Sequence, residues 1–129
     1  MSNIVVLLLA KSLLCQKGND MDLTREDAIR LHRAMWSDMQ RDLGDCPSLD
    51  ERQKYKKAWC MKHGWFSIPF HCFLCAWSGN NGENDDCNCP INWNFDGKNI
   101  HGNRCIDGTV DYTYSPISEI LALPEREDV

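Results

Sequence analysis

The residues best equipped for chemistry are cysteines. The chain holds eight, and Cys72, Cys75, Cys87 and Cys89 fall within one short stretch. Cys-x-x-Cys lets two thiolates from one tight turn meet one cation, because the turn's N–H groups point at the sulfurs. A second pair across a loop completes a tetrahedron, the arrangement of structural zinc. Here the second pair is Cys-x-Cys, one residue short of the usual spacing, so Cys105 or His71 stand as alternates for Cys87 or Cys89. Zn2+ is the expected cofactor. A disulfide framework, the rival reading, belongs to exported proteins, and no export signal of normal form precedes the domain. Iron–sulfur ligation is a minor alternative. A redox Cys-x-x-Cys would follow a strand in a βαβ setting, which the pattern lacks. Cys15, Cys46, Cys60 and Cys105 remain as thiols without an evident shared task. Cys60-Met61-Lys62-His63 has metal-ligand spacing but no second pair. His32, on an apolar helix face, reads as a packed side chain.

Catalytic motifs are missing. A zinc deaminase needs His-x-Glu ahead of its cysteine pair. His-Glu-x-x-His, a P-loop and Gly-x-Ser-x-Gly are absent too. His101-Gly102-Asn103 and Asp96 superficially evoke an HNH nuclease, but the acid–His pair that opens that motif and the His that closes it have no clear positions. A four-thiolate site also leaves no open coordination position. The expected protein is not an enzyme; a small HNH-like nuclease is the third reading.

The elements that must position these thiols read as mainly α in a small fold. The 129 residues suffice for one compact domain. Leu23 to Gly44 reads as a helix, with Thr24 as N-cap, Asp27 at N3, and Ile29, His32, Trp36, Met39 and Leu43 on one face. Ser48-Leu49-Asp50-Glu51 is a capping box that starts a second helix to about His63, with Tyr55, Trp59 and the Lys62 stem on its buried side. The short connection predicts an antiparallel helical hairpin over 21–64. Residues 65–114 form a loop-rich zinc-knuckle segment. Ser115 and Pro116 open a short C-terminal helix within 115–124, and 125–129 form a solvated tail.

Charge bears on partners. The net charge is −5. Arg25–Lys62 carries nine Lys/Arg against seven Asp/Glu, whereas His63–Val129 carries three against ten. So acidic a second half is a poor match for a phosphate backbone. The best nucleic-acid surface would be Arg30, Arg33, Arg41, Lys54, Lys56 and Lys57 on the hairpin, where interleaved acids favour ordinary solvated helix faces. The apolar run Ile4–Ala10 is too short to span a bilayer, and no basic residue precedes it. No membrane partner is expected, and the expected compartment is the cytoplasm. Lys17-Gly18 must be encoded with an internal AGG, the core of a bacterial ribosome-binding site, two codons before Met21. Residues 1–20 are thus expected to be a leader, and 21–129 the single zinc-supported domain.

The stretch Leu23-Thr24-Arg25-Glu26-Asp27-Ala28-Ile29-Arg30-Leu31-His32-Arg33-Ala34-Met35-Trp36 resembles the opening of small uncharacterised Cys-rich proteins encoded by phages and prophages of Firmicutes-type bacteria. Those proteins carry a Cys-x-x-Cys, a polar loop, then Cys-Pro, a hydrophobic residue and Trp. The matching residues here are Cys72-Phe73-Leu74-Cys75 and Cys89-Pro90-Ile91-Asn92-Trp93. Leu123-Pro124-Glu125-Arg126 fits their terminal helix. The resemblance spans about 21–129, and Cys87 departs from it by one place. It implies a mobile-element origin and no established activity. The expected role is a non-catalytic accessory protein that binds a host or phage macromolecule, a protein partner being favoured, by analogy as an inhibitor of a host factor. The alternative is a nucleic-acid-binding zinc module.

Overall fold

The computed structural model describes residues 23–79, 88–100 and 102–129. The expected leader 1–20, the start Met21, Cys87 and His101 lie outside them. The fold is mainly α: α1 (Arg25–Leu43), α2 (Leu49–Lys62), α3 (Phe73–Ser78) and α4 (Ile117–Leu121), with a 3-10 turn at Pro69–His71. Among the described residues no strand forms. An antiparallel bridge joins Ile91 to Glu125.

The ends of α1 and α2 follow local rules. Thr24 Oγ1 accepts from the Asp27 N–H at 3.0 Å, satisfying a donor that α1 cannot pair within itself. Ser48 and Glu51 exchange both capping-box bonds, at 3.2 and 2.9 Å. Gly44 closes α1 at φ 86, and Gly64 follows α2 at φ 81. Side chains with a Cβ rarely adopt such φ values, so glycine suits both stops.

The two helices run antiparallel. Tyr55 donates to Asp42 at 2.6 Å and the Trp59 indole donates to Asp38 at 2.9 Å, so positions rise on α2 as they fall on α1. Yet the hairpin is not the main packing unit. α1 packs more extensively on α3 and α4 than on α2. Its buried face, Ala28, Ile29, Leu31, His32, Met35, Trp36 and Met39, is wide enough to serve all three. Leu43, expected on that face, is exposed at the helix end.

α2 corrects the expectation more sharply. Its buried residues are Arg52, Lys56, Trp59 and Cys60, while Tyr55 is half-buried and Lys62 exposed. The stripe runs at steps of four, three and one, the right spacing for a face. Two of its members are cations, whose stems can lie along apolar surface. Arg52 is fully buried; it donates to the Pro47 carbonyl at 2.9 Å and to the Tyr112 carbonyl at 3.1 Å.

The 65–114 segment contains a helix that its composition conceals. α3 is only six residues long, too short to display a period. It buries Phe73 and Leu74 against Trp59 and Trp65, the Phe73 ring standing edge-on to each at 5.7 Å. Beyond it the chain is fixed by side-chain amides. Buried Asn103 accepts from the Trp93 and Asn94 N–H groups and donates to the Ile91 carbonyl at 2.9 Å. Asp111 accepts from Asp107 and Thr113, and its own N–H donates to Ser115 Oγ at 2.8 Å.

At α4 Pro116 holds the N-cap position rather than N1. The partner for its first turn is remote. Asp45, in the α1–α2 connection, accepts from the Ile117 N–H through its carbonyl and from the Ser118 N–H through its carboxylate, both at 2.8 Å. The 125–129 tail is not simply solvated. Arg25 donates to the carbonyls of Arg126 and Val129 and pairs with Glu125 at 3.0 Å, so the C-terminus is strapped to the start of α1. Among the described residues no helix is long and apolar enough to cross a membrane.

Candidate metal centre

Cys72 is the extended residue just before α3, at φ −123 and ψ 108. Its Sγ accepts from the Cys75 N–H at 3.3 Å. One turn of helix therefore brings both sulfurs of the Cys-x-x-Cys to the same end. The Cys75 side chain donates to Cys72, which lowers the Cys72 pKa to about 6 against the opposing effect of burial, with help from nearby Lys56. Cys75 is pushed far up, first by that same bond, then by burial, then by the charges of Cys72, Cys105 and Cys89.

That last influence maps the neighbourhood. Cys89 and Cys105, from two separate loops, lie within electrostatic reach of the Cys72–Cys75 turn. Cys89 is buried, and its Sγ accepts from the Trp93 indole N–H at 3.4 Å. Cys105 is half-buried, and its carbonyl accepts from the Tyr112 N–H at 2.9 Å. Among the described residues no three His, Cys, Asp or Glu stand close enough to hold a metal as placed.

His71, the other alternate ligand, sits on the 3-10 turn at φ 52. Burial, then Lys56 and Lys57, lower its pKa. The thiols do not figure among the causes. Cys60 is inert, its thiol pushed up to about 12 by burial, and Cys46 is exposed at the interhelix turn. His32 is a packed side chain as expected. It stands edge-on to Trp36 and Trp93, and burial, followed by Lys56 and Arg33, lowers its pKa to about 3.

The basic residues of the alternative reading are largely engaged. Arg30 pairs with Asp27, Arg33 with Glu125, Arg41 with Asp38 and Asp42, and Lys54 with Asp50. Lys57 is exposed. Lys56 is withdrawn from the surface; its Nζ lies 5.8 Å from the Trp36 ring centroid and 4.7 Å from that of Tyr112. The sequence signal for Lys56 was its place four residues after Arg52 and four before Cys60, a stripe that charge disguises. Of the nuclease-like residues, Asn103 is occupied in tying 91–94 together. The Asp96 carboxylate accepts from the Lys98 N–H at 3.1 Å.

Comparison of the chain with protein-family models, with curated proteins and with solved structures gave no match.

Proposed function

We propose that this chain is a non-catalytic accessory protein of phage or prophage origin, folded around a structural zinc, that acts by binding a protein of the host or the phage. The observation that carries the zinc reading is the Cys72–Cys75 pair on one turn of chain, with Cys89 and Cys105 within electrostatic reach of it. Soft thiolates favour zinc among the common cellular divalent cations. A site closed by four protein ligands supports folding and leaves no position for a reacting water.

Binding a macromolecule is supported by the connection between α2 and α3. Phe66 and Phe70 are 71% and 61% exposed. Phe70 and His71 both lie in the left-handed region, at φ 55 and 52. Bulky residues held there carry strain of about 1–3 kcal/mol each, a cost that clusters at functional segments. Exposed rings on a constrained turn suit an anchor in a partner's pocket. A protein partner is favoured over nucleic acid because the candidate basic residues are largely paired with carboxylates.

Two measurements test the proposal. Elemental analysis of protein purified without added metal is expected to give one zinc per chain; a metal-free, folded protein refutes the zinc reading. Pull-down from host cells with wild type and with Phe66→Ser/Phe70→Ser is expected to show one partner lost in the variant. A partner retained by the variant refutes the assigned surface.

A further inference from the structure

α2 puts two cations inside the molecule. Arg52 is fully buried and Lys56 is 7% exposed. They stand four residues apart on one helix, so their side chains leave it as neighbours on one face. Their heads meet the same two aromatic residues. The Arg52 Cζ lies 6.0 Å and the Lys56 Nζ 5.8 Å from the centroid of the Trp36 ring. Arg52 Nη1 donates to the Tyr112 carbonyl at 3.1 Å, and the Lys56 Nζ stands 4.7 Å from the centroid of the Tyr112 ring. Trp36 on α1 and Tyr112 in the loop after Cys105 thus hold both positive heads in one neighbourhood.

The donors there are not used up. Arg52 Nε and Nη1 are satisfied by the Pro47 and Tyr112 carbonyls. Nη2 is buried and meets no acceptor among the described residues. Among those residues no hydrogen bond or ion pair holds Lys56 either. Ring faces offset only part of the cost of taking an ammonium out of water. The carboxylates of neighbouring segments are engaged elsewhere. Asp111 accepts from the Asp107 and Thr113 N–H groups and from the Thr113 hydroxyl. Asp45 accepts from Gln40 and Ser118. Two buried like charges and an orphaned donor make a host for an anion, since charge-assisted bonds to it satisfy the donor and offset the repulsion of the heads.

We propose that Arg52 Nη2 and Lys56 Nζ bind one small inorganic anion, of chloride size and charge, beside Trp36 and Tyr112. The free donors set that class. A carboxylate or phosphate is best held by two parallel guanidinium N–H bonds, and Nε and Nη1 are already committed to backbone. A monatomic anion needs only one bond from each head. It ties α1, α2 and the Tyr112 loop together, and its donors belong to none of the thiols of the zinc reading, so it stands or falls separately from that reading.

Urea denaturation of the full chain in sodium chloride, with gluconate replacing chloride at constant ionic strength, tests the site. An anion bound by the folded state alone raises stability with its concentration. The wild-type midpoint is expected to rise with chloride and to be lower in gluconate, which is too large to enter. Lys56→Met is expected to lose that dependence, whereas Lys57→Met, at an exposed position of the same helix, is expected to keep it. Bromide soaked into crystals of the wild type is expected to give an anomalous peak within hydrogen-bond reach of Arg52 Nη2 and Lys56 Nζ. A wild-type midpoint indifferent to the anion overturns the proposal, with water as the partner of Nη2. A chloride dependence equal in wild type and Lys56→Met also overturns it, as a general salt effect. Should Lys56→Met fail to fold, the bromide peak decides, and its absence at these two atoms overturns the site.

Discussion

The helical frame and the cysteine-rich half hold their shape by different means. α1 and α2 are ordered by caps at their ends and by periodic faces, rules that act within a few residues. The 88–115 region is ordered by bonds from side-chain amides and carboxylates to backbone, some local and some reaching nine to twelve residues. Asn103 holds Ile91, Trp93 and Asn94, and Asp111 holds Asp107 and Thr113. The first kind of order is cooperative over a helix. The second depends on a few individual atoms, and that is where a cross-linking metal would add most. The frame still lends apolar walls: Trp93 and Ile91 are buried in the same cluster as Met35 and Trp36.

Acid should expose that shared wall. His32 sits where α1 meets Trp93. Its folded pKa of about 3 lies below the unfolded value of 6.5, so between those pH values the unfolded chain binds more protons. Stability therefore falls as pH drops below 6.5. The loss is about 2 kcal/mol by pH 5 and about 4 kcal/mol near pH 3. Urea denaturation of wild type and His32→Phe across this range should show the difference. Equal pH dependence in both would mean that His32 is charged or solvated in the folded state.

Trp36→Ala should cost about 3–5 kcal/mol. Trp36 is buried in the cluster that also holds Ile91 and Trp93 of the cysteine-rich half, and its ring faces Lys56 and Arg52 of α2. Denaturation followed by circular dichroism and by tryptophan fluorescence should shift together. Separate transitions would show that the halves unfold independently.

Asn103→Ala should cost about 2–3 kcal/mol, because it strips buried backbone groups of their partners. The effect should be regional. Hydrogen exchange is expected to speed at the Trp93 and Asn94 amides while α1 amides keep their protection; uniform loss would contradict the division. At the small end, Ser48→Ala should cost about 1 kcal/mol through the α2 cap, measurable as a lower urea midpoint. No shift would mean that tertiary packing alone starts α2.

Legibility in the sequence follows the same division. Thr24, Ser48 and the α1 stripe announce themselves, since capping and periodicity are local. The mainly α class was readable for that reason. α3 was not, because six residues cannot display a period. Asp45 as the partner of α4 was hidden by 73 positions of sequence separation, and the Arg25 strap on the tail by 100 to 104. On α2, Arg52 and Lys56 occupy core positions that their charge argued against. The Cys-x-x-Cys pair was legible from its spacing. The path of the loop beyond it was not, because Asn103 fixes it by bonds reaching nine to twelve residues back.

The central claim is that zinc, rather than apolar burial alone, orders the cysteine-rich half. Hydrogen exchange of the purified chain before and after chelation tests it most directly. The account predicts zinc in the untreated protein, and loss of protection through 89–112 on chelation, with α1 and α2 still protected. Metal-free protein with the same protection in both halves would contradict it.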